Sequence, residues 1–251
     1  MKKTTFIVLI VAFISSHCTL NRVSDSTAKH RRGKSYTSCM TLGTSLLEQR
    51  KYDEAIKEFK QASILKPDSD KAYNFMGIGY FMKKKFEKAR KCFLKALTIN
   101  PAYAAAYCNL GNLQFKEGKV DMAVATLNQA IAVIGDDALL HYSLGTILLL
   151  KGEIDQGFAH LKKVMEIDPR YLDGEKKFSF EASENVIPKP ELFFRYACLY
   201  AAINNLEKTL QYLEKAKKEG FSEWERILHN DAFILLRDDP QIKKYLEQIG
   251  L

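Results

Sequence analysis

The chain has 251 residues, of which 47% are hydrophobic, and carries a formal charge of +8 from 38 Lys+Arg against 30 Asp+Glu. That is enough apolar material for a large core. The charge permits attraction to anionic lipid or acidic protein without demanding nucleic acid, and a lysine-rich helix surface in water gives the same balance. Of the five cysteines, Cys39, Cys92, Cys108 and Cys198 form no C-x-x-C pair and have no His at metal spacing, so no metal is expected. The four beyond Cys18 read as small buried hydrophobes.

In chain order, residues 1–17 come first. Lys2 and Lys3 precede an apolar stretch, Phe6 to Ile14, followed by Ser15, Ser16 and His17. A basic start, a short apolar run and small residues read as a secretory signal. The run is shorter than the about 20 apolar residues that cross a bilayer. Cys18 stands where a bacterial lipoprotein carries its lipid, and the preceding residues resemble a lipobox. They depart from its pattern, with Ser15 at the apolar place and His17 at the small one. The expectation is an exported protein, anchored to a bacterial envelope membrane through a lipidated Cys18. The alternative is ordinary cleavage near Ser16. Residues 18–35 read as a flexible basic tether ending in His30, Arg31, Arg32 and Lys34.

From Tyr36 a pattern returns every 34 residues: Leu42-Gly43, Met76-Gly77, Leu110-Gly111 and Leu144-Gly145. A small residue follows each Gly by twelve places (Ala55, Ala89, Ala123, Gly157), and Ala62, Ala96, Ala130 and Val164 lie seven further on. Four repeats are therefore expected, at 36–69, 70–103, 104–137 and 138–171, each a pair of helices joined by a polar turn. In the second, Tyr73, Met76, Gly77 and Tyr80 share one helix face, and Phe86, Ala89, Phe93 and Ala96 share another. Lys66-Pro67, Asn100-Pro101 and Asp168-Pro169 end second helices, since proline disfavours helical geometry in the residue before it. Gly135 ends the third. Short side chains let antiparallel helices approach, so Gly77 is expected to face Ala89, with Phe59, Phe93, Leu127 and Leu161 filling the space between repeats.

Residues 172–189 interrupt the period and read as an inserted surface loop. A degenerate fifth repeat follows from Pro190, with Tyr196, Ala197, Leu206, Thr209, Leu213 and Ala216 in the repeat's slots. Trp224, Leu228, Phe233, Leu235, Leu236, Ile242 and Leu246 then read as capping helices over the last apolar face, so 190–251 closes the array.

Leu42-Gly43, Leu46, Tyr52, Ala55, Phe59, Ala62 and Pro67, with their counterparts in the next three repeats, resemble the tetratricopeptide repeat. Tyr73, Tyr107 and His141 replace its usual Trp. The resemblance implies an all-α, right-handed superhelical solenoid whose first helices line a concave groove for a peptide or partner helix. Carried over by position, Lys71, Asn74, Ile78, Phe81, Asn109, Asn112, Phe115, Lys116, Tyr142 and Thr146 should face that groove. The Lys/Asn clamp by which chaperone-binding members hold a C-terminal carboxylate is absent, because Met40, Thr44, Phe75, Ala105 and Asn109 fill its places. Asn109 and Asn112 are left as amides able to bond a ligand's backbone, or to bond their own neighbours.

No catalytic motif stands out: there is no G-x-S-x-G, phosphate loop or H-E-x-x-H. His141 reads as packing, and the pairs Asp136-Asp137 and Asp238-Asp239 read as helix caps. Lys83, Lys84, Lys85, Lys88, Arg90 and Lys91 form the densest basic cluster but lack aromatic platforms for nucleic acid. The expected function is a non-enzymatic scaffold with a protein or peptide partner and no cofactor or small-molecule substrate. More specific readings are a pilotin-like assembly factor for an outer-membrane secretin or pilus, and a regulatory subunit of an envelope enzyme.

Overall fold

The computed structural model describes residues 35–172 and 187–251. The expected signal segment, Cys18, nearly all of the tether and most of the inserted loop lie outside the described residues. Those described form twelve α-helices and one 3-10 turn, with no strand among them. The chain divides after Gly135 into two compact units.

The first unit contains α1 (Tyr36–Glu48), α2 (Tyr52–Leu65), α3 (Asp70–Met82), α4 (Phe86–Ile99), α5 (Ala104–Lys116) and α6 (Val120–Ile134). Consecutive helices pack as hairpins, and each second helix also packs on the next first helix. The first helices α1, α3 and α5 pack on one another in sequence, more closely than the second helices α2, α4 and α6 do. The first helices therefore form the inner layer of this unit.

Helix ends follow local chemistry. Ser35 and Ser69 cap α1 and α3, each hydroxyl accepting a backbone N–H at 3.1 Å. The second helices α2, α4 and α6 have no side-chain cap. Each instead places a carboxylate in its first turn, where the helix dipole favours negative charge: Asp53 and Glu54, Glu87, and Asp121. Lys66 and Asn100, each before a proline, leave the helix with ψ near 90°, and Gly135 ends α6 at φ +93°. The hairpin turns share one left-handed position, held by Arg50, Lys84 and Gly118.

The core of this unit is Leu46, Ile56, Phe59, Met76, Ile78, Phe81, Phe93, Leu110 and Leu113. Here the structure adds a nearer contact than the one expected. A Cβ on Gly77 would meet the Phe93 ring at 2.5 Å and Cys92 at 3.2 Å; Ala89 is not among its nearest neighbours. Gly43 meets Phe59 in the same way, at 2.6 Å. The period left this open because Ala89 and Phe93 share one helix face, and the large ring reaches across to the glycine. Phe59 also stacks on Phe75 of the next repeat, with centroids 5.4 Å apart, and Ala62 packs beside Ala72.

The second unit contains α7 (Ala138–Lys151), α8 (Ile154–Ile167), α9 (Lys189–Ala202), α10 (Leu206–Lys218), the short α11 (Arg226–His229), a 3-10 turn (Asp231–Phe233) and α12 (Pro240–Gln248). Asp137 and Asp239 cap α7 and α12. Their neighbours form ion pairs instead, Asp136 with Lys163 and Asp238 with Lys243. α9 and α10 form the fifth hairpin, and the closing segment lies over it through Phe221, Ile227, Phe233, Leu236, Ile242 and Leu246. Leu228 and Leu235, placed in that cap from the sequence, are exposed instead, and Trp224 is half-buried. Arg226 joins the closing segment to α9. Its guanidinium is bidentate to Glu191, at 2.7 and 3.0 Å, and lies 4.6 Å from the Phe194 centroid.

Candidate functional site

The inner layer of the first unit carries eight of the expected groove residues. The structure sorts them into two kinds. Asn74, Ile78 and Phe81 are buried, and Ile78 and Phe81 belong to the hydrophobic core. Asn109, Asn112 and Phe115 are half-buried, while Lys71 and Lys116 are exposed. Met40, Thr44, Phe75 and Met82, from the same layer of helices, are also partly open.

Repeat position alone does not decide this division, since Ile78 and Asn112, like Phe81 and Phe115, hold equivalent places 34 residues apart. Along α3, positions 74, 78 and 81 form one stripe, and that stripe packs inward. Along α5, positions 109, 112, 115 and 116 remain partly accessible, so a guest chain would touch α5 more than α3.

The amides are organised by a hydrogen-bond chain. Asn109 Nδ2 donates to Asn74 Oδ1 at 2.9 Å, and Asn74 Nδ2 donates to the Tyr103 hydroxyl at 3.4 Å. Asn100 Nδ2 donates to Asp70 at 2.7 Å, tying the turn before α5 to the start of α3. Burial first, and the neighbouring Asp70 second, push the Tyr103 hydroxyl up to about 12, so it remains a neutral partner. The single acceptor oxygen of buried Asn74 is thus held by Asn109, which fixes the Asn109 amide. Asn112 makes no side-chain hydrogen bond among the described residues.

In the second unit the two expected groove residues are closed off. Tyr142 and Thr146 are buried, the Thr146 hydroxyl donates to the Tyr142 carbonyl at 2.8 Å, and Tyr171 lies against the Tyr142 ring at 5.5 Å. A neighbouring polar cluster went unnoticed in the sequence. His141 Nδ1 and His160 Nδ1 are 2.8 Å apart, and His141 Nε2 is 3.0 Å from Asp136. Burial first, then the charge of His141, hold the His160 pKa below its ordinary value. The signal was present: His141 and His160 occupy the slots of Tyr73 and Cys92 in repeat two. Among the described residues no group of three His, Cys, Asp or Glu could hold a metal.

Tetratricopeptide-repeat profiles match residues 36–69, 104–137 and 138–171, and a further repeat profile matches 79–118. No curated protein matches the sequence. Among solved structures, the APC/C heterotetramer Cut9–Hcn1 is similar at TM-score 0.53 and 14% identity, over 88% of this chain and 44% of that one. TTC0263, a thermophilic TPR protein of Thermus thermophilus, scores 0.49 at 20% identity over 80% of this chain and all of that one. YrrB, described as a TPR protein with an unusual peptide-binding site, scores 0.43 at 20% identity over 76% and 90%. The period, the hairpin packing and the profile matches agree: the chain belongs to the tetratricopeptide-repeat proteins.

Proposed function

We propose that this protein is a binding scaffold whose inner layer in the first unit takes up a segment of another polypeptide. The observation that carries the reading is the Asn109 amide, fixed by buried Asn74 and followed along α5 by Asn112, Phe115 and Lys116. An immobilised amide beside a second, uncommitted one can meet successive peptide groups of an extended or helical guest at little entropic cost. Phe115 supplies an apolar contact beside them.

The test is crosslinking from a photoreactive residue at position 112, with position 91 on α4 as control. Protein adducts are expected from 112. Protein adducts only from 91 would overturn the reading. Export with a lipid on Cys18 belongs to the same proposal and rests on the sequence of residues 1–18. An unmodified Cys18 in the mature protein, read by mass spectrometry, would remove the anchor and leave the scaffold.

A further inference from the structure

The second helices α4 and α6 present exposed faces of contrasting chemistry. On α4 and the turn before it, Lys84, Lys85, Lys88, Lys91 and Lys95 are all exposed; positions 88, 91 and 95 fall along one helical stripe, and Lys84 and Lys85 lie in the turn at its start. Lys88 and Lys95 lie over the rings of Tyr80 and Tyr73, at 5.7 and 5.9 Å. The carboxylates nearby are engaged: Glu87 and Glu117 with Arg90, and Asp53 with Lys83. Leu94, 47% exposed, sits within the lysines. On α6, past Asp121 in the first turn, the outward positions carry no charge. Met122 and Val133 are each 53% exposed, and Ala125, Asn128, Gln129 and Ala132 lie exposed between them.

We propose that this outer face docks onto an anionic lipid bilayer, with the α4 lysines against headgroups and Met122, Val133 and Leu94 at the acyl boundary. Lysines clustered beside exposed apolar side chains match the two parts of such a surface, negative charge above hydrocarbon. An acidic protein would satisfy the lysines but would leave the uncharged α6 face without a reason. The choice of membrane rests on the export reading above. The guest-binding layer is formed by the opposite set of helices, so docking leaves it accessible.

The test is lysine-acetylation footprinting of the full chain by mass spectrometry, on phosphatidylglycerol and on phosphatidylcholine vesicles. Lys84, Lys85, Lys88, Lys91 and Lys95 are expected to react about threefold or more slowly on the anionic vesicles, with Lys71 and Lys116 unchanged. Salt of about 0.5 M should erase the difference, because the lysine contribution is screened. The variant K84E/K88E/K91E should lose protection at Lys85 and Lys95 while keeping its helical circular dichroism, and M122E/V133E should weaken it. Equal reactivity on both lipids overturns the proposal. So does protection by polyglutamate without protection by vesicles, which would mark an acidic-protein site. The Cys18 peptide in the same digest separates the two readings. Lipidated Cys18 with unprotected lysines overturns docking alone, and unmodified Cys18 with protected lysines supports docking without the anchor.

Discussion

Repeat two, in the first unit, and repeat four, in the second, build the same hairpin in different ways. In repeat two a single glycine receives an aromatic wedge: a Cβ on Gly77 would lie 2.5 Å from the Phe93 ring. In repeat four a second glycine, Gly157, stands where repeat two has Ala89, and Leu161 stands where it has Phe93. There the helices meet backbone to side chain. A Cβ on Gly145 would lie 2.9 Å from the Gly157 carbonyl oxygen, and one on Gly157 would lie 2.7 Å from Leu149. Near this crossing, repeat four carries the histidine pair. One 34-residue plan thus tolerates two hairpin chemistries, one set by a ring and the other by backbone proximity.

The largest expected effect tests that distinction. Gly145→Ala should destabilise by about 3 kcal/mol, because the obstructing atom is backbone and cannot rotate away. Gly77→Ala should cost about 2 kcal/mol, and the added Phe93→Leu change should recover part of it, since Leu at that position is already used against Gly111 and Gly145. Denaturant melts of the single and double variants measure both. If a leucine-to-alanine change at Leu161 rescued Gly145→Ala as fully, the two hairpins would share one mechanism and the comparison would collapse.

Next comes pH. A carboxylate only accepts, so His141 Nε2–H donates to Asp136, and the two facing Nδ1 atoms share a single proton. The charged groups around them are Asp136, which His141 and then Lys163 hold below its usual pKa, Lys163 itself, and Glu166 paired with Lys163. A second proton on the pair would set two N–H groups against each other. The folded His160 pKa is lowered, so the unfolded chain binds that proton more readily. Stability is therefore complete above the ordinary histidine value of about 6.5 and falls as pH drops through the lowered one. His160→Gln should flatten that limb of the stability–pH curve. Repeat two has no such pair, and its variants should retain the parent slope.

Much of this was legible in the sequence. The period placed four helix pairs, Asn100-Pro101 and Gly135 marked real helix ends, and Asp137 and Asp239 proved to be caps. The expected groove residues were legible only by position. Family geometry treats Ile78 and Asn112 as equivalent wall residues, yet Ile78 is buried in the core and Asn112 is half-open, a difference that position in the repeat does not carry. Phe93 in place of Leu127 shifts a glycine contact without altering the pattern of apolar residues. The His141–His160 bond needed two slots to be read as a pair across a hairpin, which a scan for catalytic motifs does not do.

Within the first unit, buried Asn74 offers a smaller test. Asn74→Leu removes the acceptor of Asn109 and should cost about 1 kcal/mol of stability. It should also weaken guest capture from position 112 by more than Lys71→Ala does, since it frees the amide that the fold holds in place. Equal losses would mean that charge at the groove's edge matters more than the fixed amide.

The smallest effect lies in the hairpin turns. Gly152 turns the repeat-four hairpin at φ +92° and Gly118 that of repeat three at +80°, but Arg50 and Lys84 do the same work at φ +59° and +58° with side chains attached. An L-residue in the left-handed region costs roughly 1 kcal/mol, which a glycine avoids while gaining freedom when unfolded. The two terms oppose each other, and the steric one is larger for an unbranched, exposed arginine whose side chain makes no hydrogen bond within its turn. Arg50→Gly should therefore stabilise by about 0.5 kcal/mol, and Gly118→Ala should destabilise by about 1 kcal/mol, where a Cβ meets no atom but the backbone is strained. If Gly118→Ala were neutral, the turn would have room to relax, and the glycines of repeats three and four would carry no structural demand absent from repeats one and two.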